Sequence, residues 1–143
     1  MNDDTGTTHT GDVVTLWVNG QDSREGAATL TLVTDTIDGH IAHVVSVDER
    51  ATEYYGIAQP VSVVGSLVRS GGRWSPTAFH DRAHLFDDEE PVYYLPDARS
   101  RVHGVRVLLR WWWVVARRTR EGADPRLLDP FQLSASDRRF LLG

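Results

Sequence analysis

The sequence lacks cysteine and lysine entirely and contains a single methionine. Without cysteine, the chain can form no disulfide bond, no thiolate metal site and no cysteine-based nucleophile. Without lysine, all fifteen cationic side chains are arginine. A GC-rich coding bias is the simplest reason for that, so the absence of lysine alone assigns no function.

Long apolar runs are also missing. The longest, residues 111–116, is far shorter than the roughly 20 residues that a transmembrane helix needs. Residues 1–12 are mainly Thr, Asp and Gly, so we expect no signal peptide. We therefore expect no membrane span, and a location in the cytoplasm or within a macromolecular particle.

The rest of the composition is ordinary for a globular protein: 143 residues, of which 41% are hydrophobic and 24% charged. This length is close to the commonest size of a single domain and allows a buried core. Polar residues dominate the start of the chain. We expect a disordered leader over residues 1–11 and a single α+β domain over residues 12–143.

Charge is distributed unevenly along the chain, although the net charge is only −5. Residues 1–98 have a net charge of −11, from 5 arginines against 16 acidic residues, whereas residues 99–143 have +6, from 10 against 4. The two parts can neutralise each other within one fold. Alternatively, the basic part can dock on the acidic part of a second copy or on an acidic partner.

Five segments have the β-branched, aromatic or alternating composition of strands. They are residues 13–18, 28–34, 40–47, 61–69 and 92–95. Asp38 and Gly39, between the second and third segments, suit the positive φ angles of a type I′ hairpin. Gly71 and Gly72 predict a turn after the fourth segment, and the fifth would be a short edge strand.

Three short helices are predicted from the residues at their ends. Asp48 can cap a helix that runs through Tyr55 and is closed by Gly56. Ser75-Pro76 resembles a helix start, and one apolar stripe would then follow at Phe79, Ala83 and Phe86. A last helix is expected over residues 134–142, where Ser134 and Asp137 stand at capping-box spacing.

Strands that come first in the chain, with short links between them, predict an antiparallel sheet with helices packed on one face. A small, partly open β-barrel is the alternative architecture. In both cases the fold class is α+β, and it includes a long helix in the C-terminal half.

This long helix is predicted over residues 97–121 from two interleaved stripes at helical spacing. The apolar stripe consists of Val102, Val105, Leu109, Trp112 and Ala116; the basic stripe consists of Arg99, His103, Arg106, Arg110, Trp113, Arg117 and Arg120. Asp97 would be the N-cap, and Gly122 would lie at C′. The alternative is a strand over residues 105–116, which would have to be buried on both faces and is opposed by Arg106 and Arg110.

Three consecutive tryptophans cannot all face one core, because each helical step rotates by about 100°. Trp112 belongs to the apolar stripe and is expected in the core, with Trp111 beside it. Trp113 lies within the basic stripe. It is either covered by the acidic half of the chain, under guanidinium groups, or a contact residue for a partner.

These patterns predict a non-enzymatic interaction or assembly subunit that forms homo-oligomers or binds an acidic protein surface. The candidate binding residues are Arg99, Arg106, Arg110, Trp113, Arg117 and Arg120. A nucleic-acid-binding module on a small β-barrel is an alternative, with Trp113 stacking on a base. An anionic membrane surface is a further possible partner, but the net negative charge opposes both at long range.

His80 and His84 stand one helical turn apart on the helix predicted after Ser75 and suggest a third alternative, a metal-dependent hydrolase. The first histidine lacks the adjacent glutamate that zinc proteases use as a base. The sequence has no Gly-x-Ser-x-Gly motif and no Gly-Lys-Ser/Thr motif either. We therefore expect no metal, no cofactor and no catalytic residue.

Overall fold

The computed structural model describes residues 12–18, 24–37, 40–57, 63–79, 92–124 and 127–142. Within these ranges, six strands form one antiparallel sheet whose order follows the chain, and three helices accompany it. The elements are β1 (Val13–Trp17), β2 (Ala27–Ile37), β3 (His40–Val47), α1 (Glu49–Tyr55), β4 (Val63–Ser70), β5 (Arg73–Phe79), β6 (Val92–Tyr94), α2 (Arg101–Arg120) and α3 (Ala135–Leu142).

The sheet is open, with β1 at one edge and β6 at the other. The predicted α+β class and the antiparallel sheet are confirmed. β6 is the short edge strand expected from the sequence. The predicted leader, residues 1–11, and the hairpin residues Asp38 and Gly39 lie outside the described residues, although β2 and β3 pair up to Ile37 and His40.

One face of the sheet, the inner face, forms the core with α2. A cross-strand row on this face joins Leu30, Val45, Gly65, Ala78 and Tyr93, and all five residues are buried. Burial on alternate residues is the expected result when one face of an antiparallel sheet packs on a core.

Helix α1 has the ends that the sequence predicts. The Asp48 carboxylate accepts hydrogen bonds from the backbone N–H of Ala51, at 2.9 Å, and of Ala27, at 3.1 Å. The first bond caps the helix, and the second ties the cap to β2. Gly56 ends the helix with φ 69°, in the left-handed region that favours glycine.

The prediction of a helix that starts at Ser75-Pro76 is wrong, because both residues lie in β5, which continues to Phe79. The turn at Gly71 and Gly72 returns the chain directly onto β4, and Pro76 pairs there with Leu67. Proline fits an extended φ and lacks only a donor; its carbonyl still accepts from the N–H of Leu95 at 3.0 Å. Strand pairing therefore overrides the local helix signal.

The predicted long helix is confirmed over Arg101–Arg120, and the rival strand is excluded. Asp97 is not its N-cap. Ala98 still pairs with Trp74 through two backbone hydrogen bonds of 2.7 and 2.9 Å, so the helix begins only after Ser100, whose hydroxyl accepts from the N–H of His103. Asp97 accepts from the Ser75 hydroxyl instead.

Two glycines allow α2 to approach the sheet closely. A Cβ at Gly104 of α2 would lie 2.7 Å from a methyl carbon of Leu67. A Cβ at Gly65 of β4 would lie 2.3 Å from the carbonyl oxygen of Thr77 and 2.8 Å from Leu108. The helix and the sheet are therefore in contact through positions that have no room for a side chain.

Candidate interaction surface

Helix α2 buries more of its circumference than the single predicted stripe. Val105, Leu109 and Trp112 are buried as expected, whereas Val102 and Ala116 are half-buried. The helix also buries residues outside the stripe, namely Arg101, Gly104, Val107, Leu108, Trp111, Val114 and Val115. The reason is that α2 packs on the sheet while α1 and α3 both contact it.

The three tryptophans have three different environments. Trp112 is buried, as predicted, and its indole N–H donates to the carbonyl of Val64 at 2.9 Å. Trp111 is fully buried, with its ring centroid 4.9 Å from that of Tyr93. Trp113 is only half-buried, so it is the one member of this triplet that solvent can reach.

The ring of Trp113 is packed between α3 and a guanidinium group. Its centroid lies 4.7 Å from that of Phe140, and the Arg117 guanidinium stands 4.8 Å from the ring. A guanidinium over an indole face is a favourable cation–π arrangement. Both of these partners belong to residues 99–143, so this stacking does not come from the acidic half of the chain.

Two arginines of the predicted binding stripe make polar contacts within the protein. Arg106 donates from Nε to the carbonyl of Val18 at 3.0 Å. Arg117 forms an ion pair with Asp137 of α3. These contacts hold α2 to the end of β1 and to α3, which gives both arginines a structural role.

The remaining members of the predicted set are spread over the length of α2. Arg110 places its guanidinium 5.6 Å from the Phe140 ring centroid. Arg99, just before the helix, and Arg120, in its last turn, are exposed and lie about thirty ångströms apart at 1.5 Å per residue. The structure therefore brings together Arg110, Trp113 and Arg117, but not Arg99 or Arg120.

Asp137 anchors α3 on α2. It is 2% exposed and receives hydrogen bonds from Arg117 and from Arg118, the latter through Nε at 3.1 Å. Burial alone would raise the pKa of this carboxyl, but the hydrogen bonds from Arg118 and Arg117 outweigh it, so its pKa lies below the usual value. The Ser134 hydroxyl accepts from the N–H of Asp137 at 3.3 Å, so the predicted helix start is confirmed.

A cavity of about 220 Å³ opens beside Arg110 and Trp113. Four aromatic rings, one carboxylate and one guanidinium line it: Glu25, Tyr54, Tyr55, Arg110, Trp113 and Phe140. Three of these residues come from the acidic part of the sequence and three from the basic part. The cavity is therefore where the two oppositely charged parts of the chain meet.

The two tyrosines of this cavity differ in exposure. Tyr54 is 46% exposed and Tyr55 only 3%, and their ring centroids are 4.9 Å apart in an edge-to-face arrangement. Burial, and next the charge of Glu25, raise the pKa of the Tyr55 hydroxyl well above its usual range. Tyr55 is therefore a neutral wall of the cavity, whereas Tyr54 stands at its rim.

Tyr54 also borders a second, wider hollow of about 560 Å³, which it shares with Arg24, Arg50 and Glu53. Tyr54, Tyr55, Glu25 and Phe140 were not predicted as site residues. The adjacent tyrosines at 54 and 55 were the one visible signal, and tandem tyrosines more often pack in a core. The two tyrosines lie beside Arg110 only because α1 packs against α2.

The histidine hypothesis cannot be placed on the fold, because His80 and His84 lie outside the described residues. Among the residues that the structure describes, no three His, Asp or Glu side chains form a group that could hold a metal ion. No helix within those same ranges combines the length and the apolar character needed to cross a bilayer.

Comparison with protein-family models, with curated proteins and with solved structures returns no match.

Proposed function

We propose that this protein is a non-enzymatic interaction or assembly subunit that binds a protein partner, or a second copy of itself, through one surface. This aromatic–arginine surface consists of Tyr54, Arg110, Trp113 and Phe140. The observation that carries the proposal is the cavity between these residues, which is lined by four aromatic rings and two opposite charges.

The composition of this surface supports the proposal. Trp, Tyr and Arg are the residues that most often dominate the binding energy of protein interfaces, above all when they surround a pocket near the centre. Tyr54 and Phe140 are 46% and 37% exposed, so both offer apolar area to a partner. A cavity of this volume accommodates one side chain, which would serve as the anchor of the partner.

Charge favours an acidic partner. Arg110 lines the cavity with Glu25. Arg24 and Arg50 line the adjoining hollow with Glu53. Three arginines therefore stand beside two carboxylates, an excess of one positive charge. Arginine binds carboxylates through paired, geometrically fixed donors. An acidic protein surface meets this requirement, and so does the acidic part of a second copy.

The contribution of the predicted binding residues is unequal under this proposal. Arg110 and Trp113 are central. Arg106 and Arg117 act mainly by holding α2 in place, and Arg99 and Arg120 lie too far along the helix to reach the same pocket. The nucleic-acid alternative is weaker, because the net charge of −5 opposes binding of a polyanion at long range.

The test combines site-specific crosslinking with hydrodynamics. A photo-reactive amino acid at position 54, introduced in producing cells, should give a discrete adduct with one protein, and the same amino acid at Arg120, exposed in the last turn of α2, should not. The combined Tyr54→Ala and Arg110→Glu variant should lose that partner, whereas Arg120→Glu should retain it.

Partner binding that survives the combined variant, in protein with an unchanged circular dichroism spectrum, would refute the proposal. Equal adduct patterns at positions 54 and 120 would refute it as well, because they would indicate random collision.

A further inference from the structure

The sheet has a second face, the outer face, which points away from α2. One cross-strand row on it passes through all six strands: Val13, Thr31, Val44, Ser66, Thr77 and Tyr94. The adjacent row, one residue away along each strand, points into the core. It includes Leu30, Val45 and Ala78. Alternation along each strand therefore assigns this row to the outer face.

This row is apolar or hydroxylated throughout, and its two ends are exposed. Val13 on β1 is 59% exposed and Tyr94 on β6 is 69% exposed, so the two edge strands both present apolar surface on this side. The members between them are half-buried. Val44 and Ser66 occupy the centre of the row.

Among the side chains that the structure describes, charge is nearly absent from the outer face. The outward-pointing described side chains of the six strands are Thr, Ser, Ala, Val, Trp and Tyr, except for Arg73 beside the turn at Gly72. By contrast, 24% of the whole sequence is charged. Solvated sheet faces and edges usually carry charged side chains, which prevent association between sheets.

We infer that the outer face is a homodimer interface, at which the sheets of two copies pack face to face. A symmetric dimer brings the same patch of two molecules together, so the patch must be complementary to itself. An uncharged face meets that condition, because it brings no like charges together across the two-fold axis. Threonine, serine and valine are short enough for two sheets to pack about 10 Å apart, as in β-sandwiches.

The size of the face fits a weak or transient dimer. Six strands spaced about 4.8 Å apart, with about five residues of about 3.3 Å each, give a face of roughly 500 Å² per copy. Two copies would bury about 1,000 Å² in total, near the lower limit for specific interfaces. Dimerisation should therefore depend on protein concentration.

This inference does not rest on the proposed function, because the outer face and the aromatic–arginine surface lie on opposite sides of the sheet. Sedimentation velocity from low micromolar to millimolar concentration should show a monomer–dimer equilibrium. Val44→Arg should weaken it by about tenfold or more, since an unpaired guanidinium would be buried at the centre of the interface. Thr119→Arg, on the exposed last turn of α2, should have no effect.

Crosslinking is a second measurement. It does not require the protein to fold with an arginine at position 44. The chain has no cysteine, so Ser66→Cys introduces a single, nearly isosteric thiol at the centre of the face. A short bis-maleimide should join two copies of Ser66→Cys and should not join Thr119→Cys.

The inference fails if the wild-type protein remains monomeric throughout, or if Ser66→Cys does not crosslink. It also fails if dimerisation is abolished by the combined Tyr54→Ala and Arg110→Glu variant instead, since self-association would then use the aromatic–arginine surface. Failure of the crosslinking at position 54 leaves this inference unaffected, so the two proposals are tested separately.

Discussion

His43 lies against the indole of Trp74, with ring centroids 5.7 Å apart, in the buried layer between the sheet and α2. The Arg101 guanidinium stands 5.9 Å from a ring of the same indole. His43 is only 3% exposed. A neutral imidazole fits this layer, whereas an imidazolium would be both desolvated and repelled by Arg101.

The stability of the protein should therefore fall in mild acid. Burial, and next the charge of Arg101, lower the pKa of His43 to about 4. Since the folded pKa lies below the unfolded value of about 6.5, stability is full above about pH 6.5 and falls as the pH decreases toward about 4. Urea unfolding should show a loss of about 2 kcal/mol between about pH 7.5 and pH 5.

The control for this prediction is His43→Phe, which keeps an aromatic ring beside Trp74 and cannot be protonated. Its unfolding free energy should depend much less on pH over that interval. If the wild type and His43→Phe show the same pH dependence, the titration of His43 is not the cause.

Loss of the Asp137 carboxylate should release α3 from α2. Asp137→Asn removes the negative charge between Arg117 and Arg118. The carboxylate is buried, but the two arginines are 33% and 34% exposed, so the loss is that of charged hydrogen bonds, about 2 kcal/mol. Urea unfolding at neutral pH measures this loss. Glu121→Gln removes an exposed partner of Arg118 and should change stability by less than about 0.5 kcal/mol.

The contact of Asp137 with Arg117 and Arg118 should weaken in acid. Because the folded pKa of Asp137 is lowered, its contribution is present above about pH 4 and disappears as the pH falls further. Equal stability of Asp137→Asn and wild type at neutral pH would contradict the anchoring role.

Gly65 should not tolerate a side chain. A methyl group there meets the backbone oxygen of Thr77, which can shift only with the β4–β5 pairing, so Gly65→Ala should destabilise by about 3 kcal/mol. Thermal and urea unfolding measure this. Gly71→Asn is the control, because Gly71 has φ 59° with nothing near its Cβ position and asparagine tolerates that region. Little difference between the two variants would contradict the close packing.

Trp112→Phe should destabilise through a lost hydrogen bond as well as lost volume. The carbonyl of Val64 would lose its indole donor in a buried site, a change worth about 1–3 kcal/mol. Trp113→Phe keeps a ring beside Phe140 and should be tolerated better. The prediction is wrong if chemical denaturation shows Trp113→Phe to be the more destabilising variant.

The elements that the sequence predicts well are those whose ends or faces are defined by residues close together in the chain. Asp48 and Gly56 define both ends of α1 within a few residues, and two stripes at helical spacing identify α2. The predicted start of α2 is too early, because Ala98 pairs with Trp74. The residues around Asp97 give no local sign of this long-range contact. The helix predicted at Ser75-Pro76 is wrong for the same reason, since pairing with β4 determines the conformation of these two residues.

The candidate surface was only partly predictable. Arg110 and Trp113 follow from the helical pattern. Their neighbours Glu25, Tyr54 and Phe140 come from three separate regions of the sequence, and only tertiary packing brings them to one cavity. The internal partners of Arg106 and Arg117 were hidden for the same reason, because Val18 and Asp137 are distant from them in sequence.

The order of the strands has a consequence for synthesis. Each strand pairs with the strand that precedes it in the chain, so the sheet can assemble progressively from β1 to β6 while the chain leaves the ribosome. The helix that covers its inner face is translated only afterwards. Nascent chains that end before residue 101 therefore lack the helix that covers the apolar inner face, and exposed apolar surface of this kind favours aggregation.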